Sequence, residues 1–123
     1  MKTILKNGRV IDPASQLDQM ADVLIEDGKI LGIGSFDAVN AERSYDCRGM
    51  MVAPGIIDVH VHLRDPGLTH KATIATDSYA AAKGGATTIV AMANVIPLPD
   101  NVAVHRMITE RMKKEARVKA IQV

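Results

Sequence analysis

Beyond residue 50 the sequence alternates strand and helix signatures, and this alternation restricts the possible folds more than any other feature. The run Ile56-Ile57-Asp58-Val59-His60-Val61-His62 predicts a strand, an alanine-rich helix over 73–83 stops at Gly84-Gly85, and 87–93 predicts a second strand. A second helix follows, capped by Asp100 or Asn101 and carrying Val104, Met107, Ile108 and Met112 on one face. Residues 118–123 then predict a third strand. Strands separated by single helices and short loops must pair in parallel, and such crossover units close either into a doubly wound sheet or into an eight-fold barrel. No glycine-rich phosphate loop follows the first strand, which removes the dinucleotide-binding fingerprint.

The first fifty residues have a different pattern. Short apolar runs flank Asn7-Gly8 and Asp27-Gly28, dipeptides that supply the positive φ of tight turns, so two hairpins are expected, joined by a turn at Asp12-Pro13-Ala14-Ser15. Residues 34–49 are polar and predict irregular chain. The expected division is 1–50, the N-terminal part of a small β-sandwich, and 51–123, two βα units and a third strand.

Composition narrows the function classes. With 15 Lys+Arg against 14 Asp+Glu, and no long block of either sign, neither nucleic acid nor a membrane is an expected partner. Only Phe36, Tyr45 and Tyr79 are aromatic, too few for a base-stacking platform. Cys47 is the single cysteine, no signal-peptide core develops between Lys2 and Lys6, and the apolar runs fall far short of the roughly 20 residues that span a bilayer. A reducing, cytoplasmic setting is expected.

The chemistry concentrates at the end of the first barrel-type strand. Alternation puts Asp58, His60 and His62 on one face, and two imidazoles two residues apart at the C-terminal end of a parallel strand can reach one metal ion. Zinc accepts neutral imidazole, and Asp58 is placed to orient a ligand from behind. Arg64 continues the same parity and offers a planar fork for a carboxylate; its bland alternative is a surface arginine paired with Asp65. Asn94, after the second strand, either hydrogen-bonds a substrate or forms a turn before Pro97. His70 and His105 are expected to be solvated, Met107 and Met112 to lie in the core, Lys113-Lys114 with Glu110 and Glu115 to form the wet face of the second helix, and Cys47 to be a lone thiol.

The string Val52-Ala53-Pro54-Gly55-Ile56-Ile57-Asp58-Val59-His60-Val61-His62-Leu63-Arg64-Asp65-Pro66-Gly67 resembles the opening of an amidohydrolase-superfamily barrel, specifically of the dihydroorotase family. Ala80-Ala81-Ala82-Lys83-Gly84-Gly85-Ala86-Thr87-Thr88 and Lys6-Asn7-Gly8-Arg9-Val10-Ile11-Asp12-Pro13 extend the resemblance along the chain. It implies an α/β fold, the start of a (β/α)8 barrel of about 250 residues preceded by part of a β-sandwich, so that the chain reads as truncated. It further implies one or two zinc ions held in part by His60 and His62, a substrate carboxylate bound by Arg64 with help from Asn94, and interconversion of N-carbamoyl-L-aspartate and L-dihydroorotate in pyrimidine synthesis. The other metal ligands and the general base would lie beyond Val123, leaving no catalytic acid or base here and an inactive fragment. Assembly as a homo-oligomer or with another pyrimidine-pathway enzyme is also implied. One departure is visible: where the family usually reads Met-Pro-Asn-Thr, this chain has Met92-Ala93-Asn94-Val95. An allantoinase- or hydantoinase-type hydrolase and a non-catalytic scaffold are the alternatives.

Overall fold

A computed structural model describes residues 1–37 and 39–123, which divide into two compact units, Met1–Pro54 and Gly55–Val123. The first is a five-stranded sheet. Strands β1 (Lys2–Asp12), β2 (Leu17–Glu26), β3 (Lys29–Gly34) and β4 (Arg43–Asp46) lie in the order β3-β2-β1-β4, and β5 (Met51–Val52) also pairs with β1. β1–β2 and β2–β3 are antiparallel, whereas β4 and β5 run parallel to β1. Ile4, Val10, Val23, Leu24 and Cys47 are its buried apolar side chains.

The expected hairpin at Asp27-Gly28 is present, with φ of 49° and 77° at the two central residues. The one expected at Asn7-Gly8 is not. β1 runs straight through it, and the register slips between Leu5 and Gly8. Only Asn7 has a positive φ, 61°, as a bulge requires, whereas a two-residue turn needs two such residues. A bulge frees a backbone donor, and here the buried Asp22 carboxylate accepts the Asn7 N–H at 2.9 Å. The chain reverses instead at 13–16, between β1 and β2.

Two other expectations change. Residues 34–49 are not wholly irregular, because β4 forms there; its four residues are all exposed, so no apolar alternation announces it. Met51 and Val52 pair with Arg9 and Val10, which places them with the first unit rather than the second.

In the second unit, β6 (Ile56–Val61), α1 (Ile74–Lys83), β7 (Ala86–Ala91), α2 (Val102–Glu115) and β8 (Lys119–Gln122) follow one another, and the strands form a parallel sheet in the order β6-β7-β8. The helix starts are set by side chains. Thr73 Oγ1 accepts the Thr76 N–H at 3.1 Å while Thr76 Oγ1 accepts the Thr73 N–H at 2.9 Å, and Asn101 Oδ1 accepts the Val104 N–H at 3.0 Å. The core joins Leu63, Ile74, Ile89, Ala91, Val95, Ile108 and Met112, with Val61, Val104, Val118 and Ala120 packed against it.

Met107 is exposed, contrary to expectation. Ile108 and Met112 are one turn apart and define the buried stripe, and Met107 sits about 100° around the helix from Ile108. Ile57 and Val59, at 64% and 68% exposure, are also uncovered.

Candidate functional site

The candidate site lies wholly within the second unit, after the ends of β6 and β7. Val61 packs against the core, and alternation turns His60 to the opposite face of the strand, with His62 the first residue after it. Their ring centroids are 5.1 Å apart in an edge-on arrangement, and both residues are exposed. Asn94 completes the group: its Oδ1 lies 2.8 Å from His62 Nδ1. An amide oxygen can only accept, so Nδ1 is the donor in this contact, and in the neutral ring the lone pair is then on Nε2, the tautomer a metal ligand needs.

Asp58 lies in β6, with the two histidines following it in sequence. Its Oδ1 accepts the His60 backbone N–H at 3.1 Å, which fixes the strand beside the ring. For Arg64, parity does not apply. β6 has ended at Val61, and Arg64 has a left-handed φ of 61°. Among the described residues its guanidinium has no hydrogen-bond or ion-pair partner. Burial pushes the Asp77 carboxyl on α1 up from its ordinary range, and the charge of Arg64 opposes that rise, so the two lie within electrostatic reach.

The loops carrying these side chains are stitched together. The Met92 N–H donates to Val61 O at 2.9 Å and the Ile96 N–H to Pro66 O at 3.0 Å. Gly67 makes the second contact possible. It has a φ of +93°, and a Cβ there would lie 2.5 Å from both Ile96 Cβ and Ile96 O. Gly85 provides a control, since it too has a positive φ, +89°, but its added Cβ would meet only Ile56 Cδ1 at 3.8 Å. Gly67→Ala is therefore expected to destabilise by about 1–3 kcal/mol and clearly more than Gly85→Ala, as read from denaturant midpoints.

Asp65 is not the partner of Arg64. It is 1% exposed, and both its oxygens face Arg111 of α2: Nη1 donates to Oδ1 at 2.7 Å and Nη2 to Oδ2 at 2.9 Å. The Ile74 N–H at the start of α1 adds a third bond to Oδ2, at 3.2 Å. Glu115 holds the other edge of the same guanidinium, at 2.8 Å to Nε and 3.0 Å to Nη2. Hydrogen bonds from Glu115 and then Asp65 raise the Arg111 pKa above its ordinary value. Glu115 thus belongs to this network rather than to a lysine-rich wet face, where Lys113 pairs with Glu110 alone at 2.7 Å. Sequence reasoning missed Arg111, because its partner lies 46 residues away; only the Arg111–Glu115 spacing of four was visible.

His70 is exposed, in the turn before α1. His105 is half-buried, with Nε2 3.2 Å from Gln122 O, so it is less solvated than its place in the sequence suggests. Cys47 is a buried free thiol in the other unit. The donor chemistry at His60 and His62 fits zinc, two exposed imidazoles with one tautomer already set, but no group of three or more His, Cys, Asp or Glu able to hold a metal occurs among the described residues. These residues contribute a ligand pair, short of the three protein ligands usual at a catalytic zinc.

Residues 49–123 match the dihydro-orotase-like family. The chain belongs to that family. Among its relatives, the dihydroorotase of Streptococcus pneumoniae is 47% identical over 112 residues, covering 91% of this chain and 26% of the relative. Among solved structures, the L-hydantoinase of Arthrobacter aurescens superimposes with a TM-score of 0.88 at 31% identity, over 98% of this chain and 27% of the hydantoinase. The N-acyl-D-glutamate deacylase of Bordetella bronchiseptica, solved with zinc and a phosphonate inhibitor, gives 0.73 at 26% identity, over 98% and 28%. This dihydro-orotase-like chain thus spans between a quarter and a third of the length of these relatives. Among its described residues no helix is long and apolar enough to cross a membrane.

Proposed function

We propose that this chain is the N-terminal portion of a zinc-dependent cyclic amidohydrolase that interconverts L-dihydroorotate and N-carbamoyl-L-aspartate in pyrimidine synthesis. Its parallel sheet is then the opening of a (β/α)8 barrel, and its five-stranded sheet part of a β-sandwich. The observation that carries this reading is the grouping of His60, His62 and Asn94, with Arg64 two residues beyond His62 and without a hydrogen-bond or ion-pair partner among the described residues, in a chain of the dihydro-orotase-like family.

His60 and His62 are the residues that would hold zinc here, with the remaining ligands supplied by the rest of the protein. Bound zinc would supply Lewis acidity, polarising the scissile carbonyl and easing deprotonation of the attacking water. In the hydrolytic direction the ring amide C–N bond breaks, the carbonyl carbon takes the hydroxyl of water and the nitrogen takes a proton. Asn94 fixes the His62 tautomer, and Asp58 fixes the backbone beneath His60. Arg64 binds the substrate carboxylate and orients the ring. A cytoplasmic location and assembly with like subunits or a pathway partner belong to the same proposal.

The hydantoinase likeness supports a second reading, hydrolysis of an uncharged cyclic amide. Arg64→Ala separates the two when the intact gene product is assayed on L-dihydroorotate and on hydantoin. The first reading expects kcat/KM for dihydroorotate to fall by roughly 10- to 100-fold, the worth of a charge-assisted hydrogen-bond pair, with hydantoin turnover unchanged. Equal indifference on both substrates favours the second.

A further inference from the structure

Two arginines of this chain are forked or paired onto aspartates near them: Arg48 Nη2 lies 2.9 Å from Asp46 Oδ2, and Arg9 forks onto Asp18 at 2.7 Å. Among the described residues Arg64 has no such partner, although Asp65 is its immediate neighbour. The fork of Arg111 occupies both oxygens of Asp65, while Glu115 fixes the plane of the guanidinium from its other edge. The Ile74 N–H takes a further lone pair of Asp65 and ties it to the first turn of α1.

We propose that Arg111 is a positioning residue for Arg64: by holding the Asp65 carboxylate away, it keeps the Arg64 guanidinium available to a carboxylate-bearing ligand. This rests on the reading above, in which Arg64 meets the substrate carboxylate. Arg111 touches no ligand itself. Without it, Asp65 becomes a buried anion next in sequence to Arg64, and the local Arg64–Asp65 pair that the sequence alone suggests becomes the way to neutralise it. A ligand carboxylate must then compete with Asp65 for the same donors.

The test uses the intact gene product, with steady-state kinetics on L-dihydroorotate and on uncharged dihydrouracil. Calorimetric binding of N-carbamoyl-L-aspartate adds a readout that needs no turnover. Arg111→Met is expected to raise KM for dihydroorotate and the dissociation constant for carbamoyl aspartate by about tenfold or more, with kcat and the dihydrouracil KM within about threefold. Adding Asp65→Asn removes the competing charge and should restore most of the loss. In an Arg64→Ala background, Arg111→Met should then add nothing.

Failure of Asp65→Asn to rescue, equal KM increases on both substrates, or full additivity with Arg64→Ala would each overturn the proposal, since a merely structural role predicts them. If Arg111→Met does not fold, Arg111→Lys with and without Asp65→Asn gives the same comparison. Arg64→Ala without effect on carbamoyl aspartate binding overturns the functional reading itself. A large Arg64→Ala effect beside an inert Arg111→Met overturns the positioning proposal alone.

Discussion

Replacing Arg111 with alanine is expected to destabilise the intact protein by about 3 kcal/mol, measured by denaturant titration with the slope unchanged. The size follows from what stays behind. Asp65 is 1% exposed and loses both guanidinium bonds, keeping only the Ile74 N–H as partner. Breaking a buried pair by removing one member costs about 3–5 kcal/mol, and the lower end applies because Arg111 is itself one-third exposed and water can follow it in. Arg9→Ala is the natural control. It removes an equally well-formed fork, to Asp18, but both partners are half exposed, so little change is expected. Similar losses in the two variants would mean that burial of Asp65 does not set the energetics. The two experiments on Arg111 are complementary, because stability reports the desolvated carboxylate and KM reports where that carboxylate turns.

The second large effect concerns the histidines. His60→Ala or His62→Ala should abolish stoichiometric zinc binding by the intact protein and lower turnover by about 10³-fold or more, since a metal supplies several kcal/mol of transition-state stabilisation. Asn94→Ala should act more weakly. In the proposed site Asn94 acts through its contact with His62 Nδ1, favouring the ring form with its lone pair on Nε2, so a loss of about 10- to 100-fold in zinc affinity is expected. The ordering is the informative part. An Asn94 variant with unchanged affinity, measured by competition with a zinc chelator, would show that the His62 tautomer is fixed by something else. Removing zinc from the wild type with a chelator should reproduce the histidine variants, and restoring it should recover activity.

Much of the second unit was legible because its signals are local. Thr73 and Asn101 lie at the helix starts, Gly84 ends α1, and the apolar periods at Ile89 and Ile108 mark buried faces. The histidine spacing was equally plain in the sequence. What stayed hidden depends on chain segments far apart or on turn chemistry with two solutions. Asn7-Gly8 serves a bulge or a hairpin alike, and only the pairing of β4 and β5 with β1 selects the bulge. β4 is polar because it is exposed, so it lacks the alternation that reveals a strand. The Asn94–His62 bond joins residues 32 apart, and the Asp65–Arg111 pair joins residues 46 apart. Strand parity suggested the direction of Arg64 and Asn94, yet both follow the ends of their strands, where alternation no longer holds.

The most direct test of the central claim is ring opening of L-dihydroorotate by the zinc-loaded, intact gene product, followed by loss of substrate absorbance, in wild type and in Arg64→Ala. The account predicts turnover by wild type that needs zinc, and a roughly 10- to 100-fold fall in kcat/KM on losing Arg64 that hydantoin does not share. Wild-type protein that binds zinc but leaves dihydroorotate intact while opening hydantoin, with Arg64 irrelevant to either, would contradict it.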